Sequence, residues 1–192
     1  MRVAGLVLAA ALGVGLTACA ADDPAADAFN EGGQQYASAS GRVVEIPEAD
    51  RGKPIEFGGT TEAGEKYQSE TGTVTVVNFW YAACGPCRIE AKDLESVWQK
   101  YQDDVNFVGV NIVDQAATAK AFAKKYGVTY PSIIDASSGQ AKLAFAEVTP
   151  IQAPPVTLVL DAEGRVAARI IGPIDGASVL STLIDDTLAE SA

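Results

Sequence analysis

Histidine is absent from the 192 residues, and that one gap removes the Ser-His-Asp triad, the Cys-His nucleophile pair and the HExxH zinc motif together. Basic residues are scarce too. The 14 Lys and Arg stand against 25 Asp and Glu, for a formal charge of −11, and no Lys/Arg cluster marks a surface able to follow a phosphate backbone. Nucleic acid is thereby excluded as a partner. Cysteine occurs only three times, at Cys19, Cys84 and Cys87. Catalysis by this chain must run on those cysteines, on carboxylates or on backbone groups. A hydrophobic share of 48% with 20% charged residues is the balance of a globular protein, enough for one domain of ordinary size plus tails.

The N-terminus accounts for one of the three cysteines. Residues 3–21 carry no charge, follow a lone Arg2 and consist mostly of Ala, Val, Leu and Gly, the layout of a secretory signal peptide. They lead into Leu16-Thr17-Ala18-Cys19, which resembles the bacterial lipobox, and that resemblance implies a signal peptide of residues 1–18 with lipidation at Cys19. The other reading is an uncleaved membrane anchor in which Cys19 merely packs. Gly13 and Gly15 oppose it, because glycine weakens a helix and a span needs about 20 apolar residues. In both cases the expected location is the extracytoplasmic face of the bacterial cell membrane, with a lipid anchor as the favoured attachment. Each buried methylene of an acyl chain contributes about 0.8 kcal/mol to holding it there. Residues 19–41 then form the lipidated end and a tether. From Ala20 to Gly41 the only large apolar residues are Phe29 and Tyr36, too few to fold alone, so a coil about 25 Å from end to end is expected. Residues 42–192 make one domain, without internal repeats.

Cys84 and Cys87 remain as a pair in an oxidising compartment. Two residues apart, they close too small a loop for a crosslink of much structural value, so their purpose reads as redox. Their setting supports this. Val74–Trp80 and Val105–Ile112 read as buried strands, and between them Arg88–Tyr101 reads as a helix with Ile89, Leu94, Val97, Trp98 and Tyr101 on one face. That unit calls for a parallel strand pair. Ala116–Tyr126 is a second helix closed by Gly127, Ser132–Ile134 a short apolar stretch, and Ala141–Phe145 a weaker helix. Val156–Leu160 and Val166–Ile171 flank a hairpin signal at Asp161-Ala162-Glu163-Gly164, and Val179–Leu188 is a last amphipathic helix. Ile55–Phe57 and Lys66–Tyr67 are expected as an extra N-terminal hairpin. The class is α/β, a mixed sheet with helices on both faces. At the mouth of the first helix, free N–H groups and the positive dipole end favour a thiolate at Cys84, while Cys87, one turn on, is shielded and spaced to attack a mixed disulfide. Pro86 suits the first helical turn, and Gly85 leaves room for a substrate backbone. A zinc half-site would need two more soft ligands that the chain lacks, so neither metal nor cofactor is expected.

The segment Asn78-Phe79-Trp80-Tyr81-Ala82-Ala83-Cys84-Gly85-Pro86-Cys87-Arg88-Ile89-Glu90 resembles the active-site stretch of thioredoxin-like proteins, above all the TlpA/ResA group of membrane-anchored thiol-disulfide oxidoreductases. The similarity runs from about Ile55 to Leu188 through Pro154-Pro155-Val156-Thr157-Leu158-Val159-Leu160-Asp161, which resembles that family's cis-proline strand. The resemblance implies a thioredoxin-like fold with a central mixed sheet, an exposed Cys84 as nucleophile, Cys87 as resolving thiol and Pro155 as the cis proline that pairs with substrate. Asn78 stands where cytoplasmic thioredoxins have a buried aspartate, and an amide cannot titrate. Glu90, three residues after Cys87, is the nearest group able to move the inner thiol's proton, as its counterpart in ResA-like proteins is held to do. The alternative for Glu90 is a solvated first-turn carboxylate. Trp80 and Phe79 read as core aromatics, with Trp80 also able to shield the cysteines. Arg88 is either a support for the thiolate or an exposed helix-start cation. Ala83 departs from the tryptophan common in relatives and removes a contact surface.

Three functions follow. The first is a tethered reductant of disulfides in exported proteins, apocytochrome c among them, recharged by a membrane electron-donor protein. The Gly-Pro dipeptide matches that of thioredoxin, whose potential of about −270 mV is far more reducing than the −120 mV or so of DsbA. The second is an oxidant that forms disulfides in secreted proteins with the same residues. The third, a non-redox adaptor or metal carrier, requires full function after Cys84→Ser. A peroxidase is disfavoured because Tyr81 and Val77 occupy the Thr/Ser and Pro places of that motif.

Overall fold

A computed structural model describes residues 35–37 and 42–190; the expected signal peptide, Cys19 and most of the expected tether lie outside the described residues. In chain order the elements are β1 (Gln35–Ala37), β2 (Arg42–Glu45), β3 (Gly58–Thr60), β4 (Lys66–Gln68), β5 (Thr75–Trp80), α1 (Gly85–Tyr101), β6 (Asn106–Asn111), α2 (Ala116–Tyr126), β7 (Ser132–Ile134), α3 (Gln140–Ala144), β8 (Val156–Leu160), β9 (Val166–Ile171) and α4 (Ala177–Glu190). Seven strands share one sheet in the order β1-β2-β9-β8-β5-β6-β7. The strands joined through helices, β5 with β6 and β6 with β7, are parallel, whereas β8 lies antiparallel to β5 and to β9. This is the mixed, thioredoxin-like sheet expected from the order of the elements.

All six side chains of β5 are buried, so the sheet must be covered on both faces, and the period of two decides what each face meets. Val77 and Phe79 face one layer, with Val108, Val110, Leu158 and Phe145. Val76 faces the other, against Leu94, Val97, Leu180 and Ile184 of α1 and α4. Each such fully buried aliphatic side chain stabilises the fold by about 1.5–3 kcal/mol. The same alternation turns Asn78 and Trp80 toward α1, which places an amide in an otherwise apolar run directly under the helix that carries the cysteines.

Three expectations are corrected. The buried stripe of α1 is Cys87, Glu90, Ala91, Leu94, Val97 and Tyr101, and Ile89 is 77% exposed. At 3.6 residues per turn Ile89 lies about 140° around the helix from Leu94, so one stripe cannot hold both. The N-terminal hairpin exists, but its first strand is Gly58–Thr60. Ile55 and Phe57 are core residues instead, and Phe57 is tied to Ser69 through its N–H (2.9 Å to Oγ) and its carbonyl (2.8 Å from N). Finally, Gln35–Ala37, placed by composition in the tether, pairs antiparallel with β2, which in turn pairs with β9. Main-chain hydrogen bonds along a sheet border do not require apolar side chains, so composition gave no sign of that strand.

Two connections are fixed by specific chemistry. In the β8–β9 turn Asp161 Oδ1 accepts from the N–H groups of Glu163 (3.1 Å) and Arg165 (2.8 Å), and Gly164 takes the left-handed conformation, φ 83°, which glycine adopts without strain. Arg51, whose side chain is 3% exposed, binds Asp161 at 3.1 Å and Glu190 at 2.6 Å. It thereby joins the segment after β2 to that turn and to the end of α4.

Candidate active site at the mouth of the first helix

Cys84 is the N-cap of α1 and Pro86 lies in the first turn, where a residue without an N–H costs nothing. Cys84 and Cys87 form a disulfide, with Cα atoms 5.3 Å apart. The Cys87 N–H points at Cys84 Sγ from 3.1 Å. One of the helix's unpaired donors is therefore aimed at the atom that carries the charge once the bond is reduced. On the other side, Cys84 Sγ lies 3.9 Å from the carbonyl oxygen of Pro154. As a disulfide sulfur it has no proton to donate, so this is a contact. The Pro154–Pro155 peptide bond is cis, and the Pro155 carbonyl accepts from Gly172 N–H at 2.9 Å.

The expectation of an exposed Cys84 is corrected: the residue is 2% exposed. Its sulfur is turned inward to Cys87 and covered by the Pro154 carbonyl, within a cluster formed by Trp80, Ala91, Ala119 and Phe122. The rim is open, since Ala83, Gly85 and Pro86 are exposed. Apart from its chain neighbours and its own helix backbone, no atom lies within 4 Å of where a Gly85 Cβ would stand.

Glu90 is 1% exposed, which rules out the solvated carboxylate. Its Oε1 accepts from Asn78 Nδ2 at 3.0 Å and its Oε2 from the Ile174 N–H at 3.0 Å. Burial drives its pKa up from the usual 4.5 to about 7, with the two hydrogen bonds pulling the other way and the charge of Asp93 adding slightly to the rise. A carboxyl that titrates near neutrality, one helical turn from Cys87, can take and return a proton at working pH. Cys87 also borders a cavity of about 10 Å³ that touches Asn78 and Tyr130, roughly the space of one water.

The remaining residues divide clearly. Trp80 is buried, donates through Nε1 to Ser132 Oγ at 3.2 Å and packs, tilted by 40°, against Phe122 with ring centroids 4.4 Å apart, in the cluster that holds both cysteines. Phe79 is a core residue, edge-on to Phe145 at 5.2 Å. Arg88 donates to the Ala82 carbonyl at 2.8 Å, so its guanidinium braces the loop before Cys84. The Ala82 N–H is held in turn by Asp114 at 2.6 Å. Three contributors had no sequence signal that singled them out: the Pro154 carbonyl, the Ile174 N–H and Asp114. Among the described residues no group of three or more His, Cys, Asp or Glu is placed to hold a metal ion.

Comparison with known proteins agrees with this geometry. Residues 45–184 match the Redoxin family. The thiol:disulfide interchange protein HelX of Rhodobacter capsulatus is 31% identical over 121 residues, covering 63% of this chain and 64% of HelX. The thiol-disulfide oxidoreductase ResA of Bacillus thuringiensis is 29% identical over 97 residues, 50% of this chain and 53% of ResA. The chain thus spans between about half and two thirds of the length of these relatives. A crystal structure of a DsbF homologue from Corynebacterium diphtheriae superposes with a TM-score of 0.66 at 29% identity, covering 81% of this chain and 99% of that one. The chain belongs to the Redoxin family, among its TlpA/ResA-like thiol-disulfide oxidoreductases.

Proposed function

We propose that the chain reduces disulfides in exported proteins, apocytochrome c being the substrate class favoured by its resemblance, while held on the outer face of the cell membrane through a lipidated Cys19. In the dithiol form the Cys84 thiolate attacks one sulfur of a substrate disulfide. A mixed disulfide forms and the first substrate thiolate leaves. Glu90 takes the Cys87 proton, and Cys87 attacks Cys84 Sγ. The second substrate thiolate is released, and the Cys84–Cys87 disulfide is left for a membrane electron donor to reduce by two electrons. The loop at Pro154 and Pro155 aligns the substrate backbone beside Cys84. Among the described residues no helix is long and apolar enough to cross a membrane; attachment in this scheme rests on the lipobox-like Leu16-Thr17-Ala18-Cys19.

The observation that carries this reading is the pairing of a helix-mouth disulfide with a carboxyl buried one turn behind it. A scaffold that only holds partners has no use for a buried group titrating near neutrality, because its burial weakens the fold. The test is equilibration of the purified protein with glutathione and dithiothreitol buffers. A potential near −270 mV is the expected result; one near −120 mV assigns the same residues to disulfide formation. Full function after Cys84→Ser would exclude redox chemistry altogether.

A further inference from the structure

Asn78 is 2% exposed and sits in the middle of a strand whose other members are apolar or at its ends. Its Nδ2 donates 3.0 Å to Glu90 Oε1 and 3.1 Å to Thr157 Oγ1. An amide nitrogen has two protons, and both are used. Thr157 faces Asn78 across the β5–β8 register and is itself 1% exposed. The other carboxylate oxygen is held by Ile174 N–H, two residues beyond Gly172, whose N–H binds the Pro155 carbonyl. Glu90 thus closes a circuit, made of hydrogen bonds and the short stretch of chain from Gly172 to Ile174, that leaves β8 at Thr157 and returns at Pro155, the residue before that strand.

We propose that Asn78, braced by Thr157, is the positioning residue of this site, fixing the Glu90 carboxylate and favouring its ionised, proton-accepting form. This rests on the role given above to Glu90. The two donors that meet Glu90 come from different elements, β5 and the loop before α4, and each holds a different carboxylate oxygen, so the carboxylate cannot swing without losing one of them. The identity of residue 78 follows from the same geometry. An aspartate there would set a second carboxylate about 3 Å from Glu90, and two such groups cannot both ionise. Moving the acid from the strand to the helix therefore calls for an amide on the strand. The titratable and charged groups around Glu90 are Asp93 on its own helix, whose charge opposes ionisation, Cys87, and Tyr130, whose phenol is raised by burial and by Glu90 and Glu95. Asp175, beside Ile174, is exposed. The β8 side contributes only the neutral Thr157.

The test is the pH profile of single-turnover reduction of a small dialkyl disulfide by the reduced full chain, with thermal unfolding of each variant measured in parallel. Glu90→Gln loses the inflection near pH 7. Thr157→Val, equal in shape but unable to accept, frees Asn78 and moves the inflection by at least a few tenths of a unit, while Thr157→Ser restores the wild-type position. Asn78→Asp replaces the single inflection with two separated ones, and Asn78→Ala moves it upward by about one unit, a tenfold change in proton affinity. An unmoved inflection in Thr157→Val and in every Asn78 variant that folds, with the inflection lost in Glu90→Gln, would overturn the positioning role and leave Glu90 in place. An unmoved inflection in Glu90→Gln would remove Glu90 itself, and the positioning role with it.

Discussion

Replacing Glu90 by glutamine gives a prediction about stability as well as about chemistry. The carboxyl is 1% exposed and its pKa is pushed up from 4.5 to about 7 by burial. Because the folded-state value lies above the unfolded one, the neutral carboxyl's contribution is complete below pH 4.5 and is lost as the pH rises through about 7. At 1.36 kcal/mol for each unit of difference, ionising Glu90 at pH 8.5 costs the folded state about 3 kcal/mol. In a domain of this size that corresponds to roughly 6–12 °C in melting temperature. Glutamine keeps the shape and does not titrate. The expected result is that oxidised wild type loses stability relative to Glu90→Gln between pH 5 and pH 8.5, by about that amount, in urea melts followed by circular dichroism. Other titrating groups act equally on both proteins, so the difference isolates Glu90. Parallel stability curves for the two would refute the claim that this carboxyl is buried and neutral in acid, and would also withdraw its fitness as a base near neutrality.

Further outcomes are open to direct measurement. Cys87→Ser is expected to accumulate mixed disulfides between Cys84 and substrate proteins, seen as reducible bands on non-reducing gels, whereas Cys84→Ser forms none. Arg51→Met removes a buried guanidinium from Asp161, itself 2% exposed; because Arg165 Nε still holds the same carboxylate at 2.8 Å, the expected loss is below the roughly 3–5 kcal/mol of a buried charge left without a partner, and guanidinium melts at neutral pH report it. Leu94→Ala opens a cavity under α1 at a position 1% exposed, for a loss of about 2.7–5 kcal/mol in the same melts.

The strands β5, β6, β8 and β9 were legible because each is a run of β-branched and aromatic residues between clear breakers, and α2 because Gly127 ends it with φ 76°. The cysteine pair was legible from spacing and from its place between a strand and a helix. The exposure of Ile89 was not, since its apolar character agrees with a core stripe and only the exact phase of the helix, set by Cys84 as its cap, puts it outside. β1 was missed because a three-residue border strand is held by main-chain bonds that leave little mark on composition, and β2, paired on both sides, because its apolar run is only Val43 and Val44. Glu90 shows the same limit at the site. Its spacing from Cys87 put it on the right face, but its burial depends on Ile174, 84 residues away, and no local pattern records a contact of that range. Asn78 did carry a signal, a lone amide in an apolar strand, whose meaning needed its two acceptors.

The β3–β4 hairpin has a role beyond packing. Thr61 bridges to Ile133 of β7, Glu62 N–H donates to the Ser132 carbonyl at 2.9 Å, and Glu62 Oε2 accepts from Ser132 N–H at 2.7 Å. The outermost strand on that flank is therefore already occupied by the protein's own chain, and the opposite flank ends in the three residues of β1. Among the described residues neither margin offers a long free ladder for a second molecule to pair with. In the proposed setting, where copies are held side by side on one membrane face, such margins would keep neighbours from stacking into ribbons.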